Sequence, residues 1–268
     1  MLLPLTVASG AAPAPLDFGP GPSCRLVAHE IAMVGDVMQH GMQLKASTQP
    51  DGTYSWDGVF DAIRPIVAEA DLAIANLETP VYAAKPYGGF PRFNAPEVLL
   101  DALAEAGFDV LQTANNHTLD RGRDGTLATL EAVRARGFGA AGTQASWEER
   151  AKPWTTVELD GTRVAFLAYT YGTNGIPMPE GEPWLVNWLD RGFMEQDVQR
   201  ARAEADVVIV GLHWGAEYSH RPADWQKEMA RRLVEAGADV VMGSHPHVLM
   251  PVELVEVGER RGLVLYSL

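Results

Sequence analysis

The sequence has almost no cysteine, no long apolar run and few basic side chains. Its single cysteine, Cys24, excludes an internal disulfide framework and a zinc site built from thiolates. None of its apolar runs approaches the roughly 20 residues that a membrane-spanning helix needs. Against 35 aspartates and glutamates there are only 21 lysines and arginines, so the net charge is −14. This balance argues against a nucleic-acid partner, because binding to a phosphate backbone requires a basic face.

The rest of the composition is that of a globular protein. Hydrophobic residues make up 47% and charged residues 21% of the 268 positions, which excludes a disordered or fibrous chain. A chain of this length buries roughly three quarters of its unfolded surface, enough for one large domain or two small ones. Because the first 21 residues are rich in Leu, Ala, Pro and Gly, with no charge before Asp17, we expect residues 1–28 to form a flexible arm or the remnant of an export segment.

From Glu30 onward, short apolar runs alternate with segments of helical spacing. A stripe of apolar residues between Trp225 and Val234 is typical of an amphipathic helix, and Gly107 and Gly137 are placed to end two others. The short runs have the composition of strands that are buried on both faces. Such alternation predicts an α/β layered fold. The runs lie at 31–34, 72–75, 109–111, 206–210 and 239–242.

Two strand pairs interrupt this alternation. Asp160-Gly161 separates the runs 157–159 and 163–169, which is a strong signal for an antiparallel hairpin. The runs 252–257 and 263–267 predict a second pair near the end of the chain. A mixed sheet or two stacked sheets therefore fits the sequence better than one purely parallel sheet.

Polar side chains that can bind a metal follow five of the predicted strands. Because strand ends in α/β sheets meet at one crevice, we expect these side chains to converge. A lone histidine at such a place is usually a structural residue, whereas four of them with two carboxylates and an amide favour a metal site. Imidazole and carboxylate ligands without thiolates suit zinc, manganese or iron rather than copper. The side chains are those of Asp36, Glu78, Asn116, His117, His213, His245 and His247.

These residues belong to five motifs in a fixed order. The motifs are Gly35-Asp36-Val37-Met38, Asn76-Leu77-Glu78, Ala114-Asn115-Asn116-His117, His213-Trp214-Gly215-Ala216-Glu217-Tyr218 and Gly243-Ser244-His245-Pro246-His247. From about Glu30 to Leu268, the chain resembles the CapA-type family, which is linked to bacterial poly-γ-glutamate capsule biosynthesis and is itself similar to the calcineurin-like metallophosphoesterases. The resemblance implies an α/β/β/α sandwich of two stacked mixed sheets flanked by helices.

The resemblance also implies a role for each polar residue of the motifs. The implied metal ligands are Asp36, Asn116, His213, His245 and His247, with Glu78 near the position of a bridging carboxylate. His117 matches the histidine that protonates the leaving group, and Asp120 is placed to hold it in one tautomer. Contacts with substrate or with the ligands are expected at Asn76, Glu217, Tyr218 and His40. A solvated loop charge is an equal alternative for Glu217, and plain packing is favoured for Trp214.

Three features depart from the family pattern. Met38 stands where the phosphoesterases carry the histidine of Asp-x-His, so the first metal position is one ligand short, and a single ion or a weakly held second ion is an alternative. His40 stands near the place where relatives carry an arginine. The chain ends at Leu268, before the Gly-Asn-Phe that normally follows Tyr-Ser-Leu, so we expect residues 29–268 to be a domain truncated at its C terminus.

Three functions are compatible with these observations. The first is a hydrolase that uses one or two divalent transition-metal ions (Mn, Zn or Fe) and acts on phosphoesters or an amide-linked anionic polymer. The second is a non-catalytic envelope component that binds or guides the polymer, together with other capsule-synthesis proteins. The third is a (β/α)₈ metallo-hydrolase, against which the hairpin and the motifs count. The resemblance implies a location in the cell envelope or outside the cytoplasm, with the cytoplasm as an alternative.

Overall fold

The computed structural model describes residues 28–84 and 86–268, without the side chain of Arg191. Apart from Ala28, the arm predicted at residues 1–28 and its Cys24 therefore lie outside the described residues. Within the described part of the chain, no helix is long and apolar enough to cross a membrane.

The strands of the described residues form a four-stranded and a six-stranded sheet. The four-stranded sheet consists of β1 (Ile31–Val37), β2 (Leu72–Leu77), β3 (Val110–Gln112) and β4 (Gly139–Ala141), in that order. The six-stranded sheet consists of β5 (Trp154–Leu159), β6 (Thr162–Thr170), β7 (Val207–His213), β8 (Val240–Ser244), β10 (Arg260–Leu265) and β9 (Val252–Val257), in that spatial order. The pairs β5–β6 and β9–β10 are antiparallel, and all others are parallel. Both predicted strand pairs are therefore present.

The helices mostly connect parallel strands. They are α1 (Gly41–Ser47), α2 (Arg64–Glu69), α3 (Val98–Ala106), α4 (Gly122–Ala135), α5 (Trp147–Arg150), α6 (Arg191–Glu204) and α7 (Asp224–Ala236). Helix α3 ends at Gly107, whose φ of +98° suits glycine. Helix α5 begins where Oγ of Ser146 accepts a hydrogen bond from the backbone N–H of Glu149, and it ends before Pro153.

The two sheets pack face to face, with helices on both outer faces. The cluster between them contains Leu72, Ile74, Val110 and Ala141 from one sheet and Val164, Phe166, Ala168, Ile209 and Met242 from the other. Helices α2 to α4 cover the outer face of the four-stranded sheet, and α6 and α7 cover that of the six-stranded sheet. The predicted sandwich of two stacked sheets is confirmed. Its mixed character lies in the six-stranded sheet, because helical crossovers keep β1 to β4 parallel.

Because side chains alternate along each strand, every second residue faces the other sheet. In β7, Ile209 packs between the sheets, whereas Val208 packs against the helices. His213 is four residues after Ile209 and therefore shares its face. In β2, Ile74 faces inward, and so does Asn76 two residues later. The carboxyl ends of both strands thus deliver polar side chains into the crevice between the sheets.

A β-bulge in β1 turns Asp36 towards the same crevice. Val34 pairs with Ala75 and Asp36 with Asn76, so Gly35 is an extra residue on β1. Val34 packs against the helices, and in a regularly paired strand Asp36, two residues later, would face the same way. A Cβ atom on Gly35 would clash with the carbonyl oxygen of Leu268, so the bulge requires glycine.

Candidate metal centre

Asp36 accepts hydrogen bonds on both carboxylate oxygens. Nδ2 of Asn76 donates to Oδ1 at 2.7 Å, and the backbone N–H of His245 donates to Oδ2 at 3.1 Å. Nδ1 of His247 lies 2.9 Å from Oδ2. Burial acts to raise the pKa of Asp36, but the hydrogen bonds from His247 and Asn76 hold it well below its usual range. Asp36 is therefore ionised at neutral pH and is available as an anionic ligand.

Glu78 is fully buried, and neither of its carboxylate oxygens has a hydrogen-bond partner among the described residues. Its Oε1 lies 3.5 Å from Nε2 of His213 and 4.0 Å from Nε2 of His247. Burial raises the pKa of Glu78 well above its ordinary value, and the nearby carboxylate of Asp36 adds to the effect. A buried charge without a partner is strongly unfavourable, so this carboxyl group requires either a proton or a cation.

Burial keeps two of the histidines neutral. It lowers the pKa of His213 well below the usual value and that of His245 to about 4. Neutral imidazole is the form that binds metal ions. Nε2 of His213 lies 3.0 Å from Oδ1 of Asn116, and its Nδ1 lies 3.0 Å from Oγ of Ser244. Nδ1 of His245 is buried and has no partner among the described residues.

The turn after β8 brings His245 and His247 into the crevice. Both residues have positive φ angles, +97° and +56°, in a region that residues other than glycine rarely adopt. The rings of His245 and His213 are 4.7 Å apart, and those of His245 and His247 are 5.9 Å apart. Strand β8 ends at Ser244, so the alternation of side chains along a strand does not bring these histidines together. They converge because the backbone turns.

Two sets of three side chains place their donor atoms close enough to hold a metal ion. Asp36, Glu78 and His213 form one set, and Glu78, His245 and His247 form the other; within each set the donors lie within 4.8 Å of one another. Zinc ligands lie about 2.0–2.2 Å from the ion, so two of them lie no more than roughly 4.4 Å apart. The distances from Glu78 to His213 and to His247 meet this limit. The unpartnered oxygens of Glu78 and Nδ1 of His245 also fit a divalent metal ion.

His117 lies beside this set and is paired with a buried carboxylate. Its Nδ1 lies 2.7 Å from Oδ2 of Asp120, which also accepts a hydrogen bond from the backbone N–H of Phe93 at 2.7 Å. The ring of Phe93 packs edge-on against His117 at 4.5 Å. Because Asp120 engages Nδ1, Nε2 is the atom of His117 that remains for proton transfer.

The four predicted contact residues lie at different distances from the site. Asn76 lies inside the site, where its Nδ2 is also 3.2 Å from Nδ1 of His213. Glu217 and Tyr218 are exposed in the loop after β7, and the ring of Tyr218 is 6.3 Å from that of His247. The exposed His40 touches Phe93, with ring centroids 5.1 Å apart, and belongs to neither donor set.

Trp214 packs on the helix side of the six-stranded sheet. It is fully buried, and its Nε1 donates a hydrogen bond to the carbonyl oxygen of Tyr266 at 3.0 Å. Its ring stacks on that of Tyr266 and meets Trp225 edge-on. The packing interpretation favoured for Trp214 agrees with these contacts.

Sequence reasoning misses two residues that follow β6. The ring of Tyr171 lies 4.7 Å from that of His245 and stacks parallel to that of His213 at 6.2 Å. Oδ1 of Asn174 accepts a hydrogen bond from Nδ2 of Asn116 at 3.3 Å. Both residues follow the carboxyl end of a strand, at the edge of the sheet that supplies the other site residues. This position could have identified them from the sequence. Treating β6 only as half of a hairpin hides that position.

Comparison with known proteins gives matches along most of the chain. The family model of the bacterial capsule synthesis protein PGA_cap matches residues 30–268. The capsule biosynthesis protein CapA of Bacillus anthracis is 31% identical over 248 residues, which cover 89% of this chain and 58% of that protein. The PGA biosynthesis protein CapA of Bacillus subtilis (strain 168) is 30% identical over 227 residues, which cover 83% of this chain and 58% of that protein. The chain thus spans less than two thirds of the length of these curated relatives.

Two solved structures share the fold. A hypothetical protein from Thermus thermophilus matches with a TM-score of 0.51 and 19% identity, covering 89% of this chain and 75% of that one. A protein of Staphylococcus aureus described as a putative 5′-nucleotidase matches with a TM-score of 0.52 and 15% identity, covering 88% of this chain and 48% of that one. At such low identity these matches establish the fold alone, and they agree with the predicted α/β/β/α sandwich.

Proposed function

The chain belongs to the family of the bacterial capsule synthesis protein PGA_cap, and from this premise we propose that it is a metal-dependent hydrolase of envelope polymer synthesis. Its substrate in this proposal is a phosphoester or an amide-linked anionic polymer such as poly-γ-glutamate. The names of its relatives, which refer to capsule and PGA biosynthesis, support that setting. The observation that carries the proposal is the buried carboxylate of Glu78, which has no partner among the described residues and belongs to both donor sets.

In this proposal one or two ions of manganese, zinc or iron bind in the crevice. The ligands are Asp36, Glu78, Asn116, His213, His245 and His247. A bound divalent ion lowers the pKa of a water molecule and offsets negative charge in the transition state. It also reverses the local sign of the potential, so the net charge of −14 is compatible with an anionic substrate.

The protein's own residues orient the ligands and move the proton. Asn76 fixes one oxygen of Asp36 through its hydrogen bond. Nε2 of His117 donates the proton to the leaving group, while Asp120 holds Nδ1 and thereby keeps the ring in one orientation. Glu217 and Tyr218 lie on the exposed side of the site, where they are available to contact the substrate.

Metal analysis paired with a substrate panel tests this function. We expect the protein purified from metal-replete cells to contain a transition metal. We also expect the manganese- or zinc-loaded protein to cleave a generic phosphomonoester, a phosphodiester or a γ-glutamyl substrate. His117→Ala is expected to keep the metal and to lose turnover by about 10²–10⁴-fold, the usual contribution of a general acid. Wild-type protein that holds no metal under these conditions contradicts the proposal.

The second candidate is a protein that binds the polymer, or guides its export with other capsule-synthesis proteins, without cleaving it. It is favoured by Met38, which leaves Asp36 without the neighbouring histidine of the phosphoesterase motif. Bound metal with no turnover across the panel, together with metal-dependent retention of poly-γ-glutamate, selects this function over the first.

A further inference from the structure

The side-chain amide of Asn116 has its oxygen directed towards the donor atoms and its nitrogen directed away from them. Its Oδ1 lies 3.0 Å from Nε2 of His213. Its Nδ2 faces the other way and donates to Oδ1 of Asn174 at 3.3 Å. The oxygen and nitrogen of an amide occupy nearly equivalent positions, so the hydrogen-bond partners determine which of them faces the metal donors.

The loop that carries Tyr171 and Asn174 is anchored to the site. The backbone N–H of Tyr171 donates to the carbonyl oxygen of His213 at 3.0 Å, so the loop is attached to the strand that supplies a proposed ligand. Further along, Oγ1 of Thr173 donates to the carbonyl oxygen of Ile176 at 2.7 Å. Asn174 has a φ of +50°, a left-handed conformation that asparagine tolerates better than most residues. The backbone thus holds the amide of Asn174 against Asn116.

We propose that Asn174 is a positioning residue that holds Oδ1 of Asn116 towards the metal ion. If the amide of Asn116 were reversed, its oxygen would face the acceptor oxygen of Asn174 and lose that hydrogen bond. The oxygen of Asn174 that receives Nδ2 therefore selects the orientation in which the amide is a metal ligand. Removing such a partner of a ligand typically lowers metal affinity by about 10–100-fold. This inference rests on the proposed metal site and is independent of turnover.

The test is a titration of the metal-free chain with Mn²⁺ or Zn²⁺ in a calorimeter. Asn174→Gly removes the acceptor and suits the left-handed backbone, whereas Asn174→Asp keeps an oxygen in its place. We expect Asn174→Gly to bind either ion about 10–100-fold more weakly than wild type, and Asn174→Asp to lose no more than about threefold. Glu180→Gln, an exposed position further along the same loop, is the matched control and is expected to leave the Kd unchanged.

An Asn174→Gly chain that binds the ions as tightly as wild type overturns the inference and leaves the proposed function standing. Equal losses in Asn174→Gly and Asn174→Asp also overturn it, because they show a structural role rather than an acceptor. A wild-type chain that binds neither ion overturns both the inference and the proposed function.

Discussion

Oε1 of Glu78 lies 3.5 Å from Nε2 of His213, and both side chains are completely buried. Both oxygens of Glu78 lack a hydrogen-bond donor among the described residues, and His213 is kept neutral by its burial. A carboxylate in such a place destabilises the fold unless a proton or a cation neutralises it. We therefore expect metal binding and stability to be coupled in the proposed site.

Replacement of Glu78 by methionine is expected to stabilise the metal-free protein and to abolish metal binding. Methionine is similar in length and has no charge to bury, so the free energy of unfolding without metal should rise by about 1–3 kcal/mol. The added stability that Zn²⁺ or Mn²⁺ gives to wild type should disappear. Denaturant unfolding with and without the ion measures both effects. Glu217→Met, which replaces an exposed carboxylate, should change the metal-free value by no more than about 0.5 kcal/mol.

The stability gained in Glu78→Met is expected to depend on pH. The pKa of Glu78 is raised in the folded chain above its ordinary value of 4.5. The folded protein therefore keeps a proton that the unfolded chain releases, and the contribution of Glu78 to wild-type stability falls as the pH rises past 4.5. The difference between the metal-free variant and wild type should grow from about pH 5 to about pH 7. A difference that is constant or shrinks over this range contradicts the assignment.

Gly35→Ala is expected to disturb the site through the backbone. A Cβ atom at this position meets the carbonyl oxygen of Leu268, and the bulge that turns Asp36 inward has no room for it. We expect a loss of about 1–3 kcal/mol in unfolding free energy, the usual effect of overpacking, together with weaker metal binding. Gly41→Ala is the matched control, because a Cβ atom there has no neighbour within 4 Å. It should leave metal affinity unchanged.

Local sequence signals were sufficient to predict most of the fold. The Asp160-Gly161 turn defined the hairpin, and the continuous apolar runs identified strands that are buried on both faces. The bulge at Gly35 was not predictable, because it becomes apparent only when Val34 and Asp36 are paired with their partners in β2. The sequence alone also gives no register between strands that are distant along the chain, so the parallel order of β1 to β4 had to come from the structure.

Alternation along the strands accounts for only part of the candidate site. Asn76, Glu78 and His213 extend the inward face of their strands, so alternation alone brings them together. Tyr171 and Asn174 belong to a loop whose course depends on turns and on contacts with other loops, and nothing in their spacing indicates that they reach the site. The positive φ angles of the histidines after β8 could not be predicted from the sequence either, because they too belong to a turn.

Asp120→Asn is expected to slow turnover without releasing the metal. The buried carboxylate lies 2.7 Å from Nδ1 of His117, and asparagine keeps its size but not its charge. We expect kcat to fall on the order of 10²-fold, with metal content and KM close to those of wild type, because the orientation of the proton donor is lost. Steady-state kinetics and metal analysis on the same sample separate these quantities. The control is Asp124→Asn, an exposed position on α4, which should have no effect on kcat. A fall in metal content for Asp120→Asn would indicate a structural role of Asp120 instead.

Removal of the ion by a chelator is expected to lower the thermal stability of wild type, and His245→Ala is expected to abolish that difference. An ion that binds only the folded state adds about 2.7 kcal/mol of stability when its concentration is about 100 times the Kd. The unfolding temperature should therefore rise with the logarithm of the concentration of free Zn²⁺ or Mn²⁺. His245 supplies a buried nitrogen with no partner among the described residues, so its loss should remove this dependence. His220→Ala is the control, because the exposed His220 contacts the carbonyl oxygen of Leu249 and belongs to neither donor set. The unfolding temperature of this variant should rise with the concentration of the ion as that of wild type does. An equal response in His245→Ala and wild type would place the ion elsewhere in the chain.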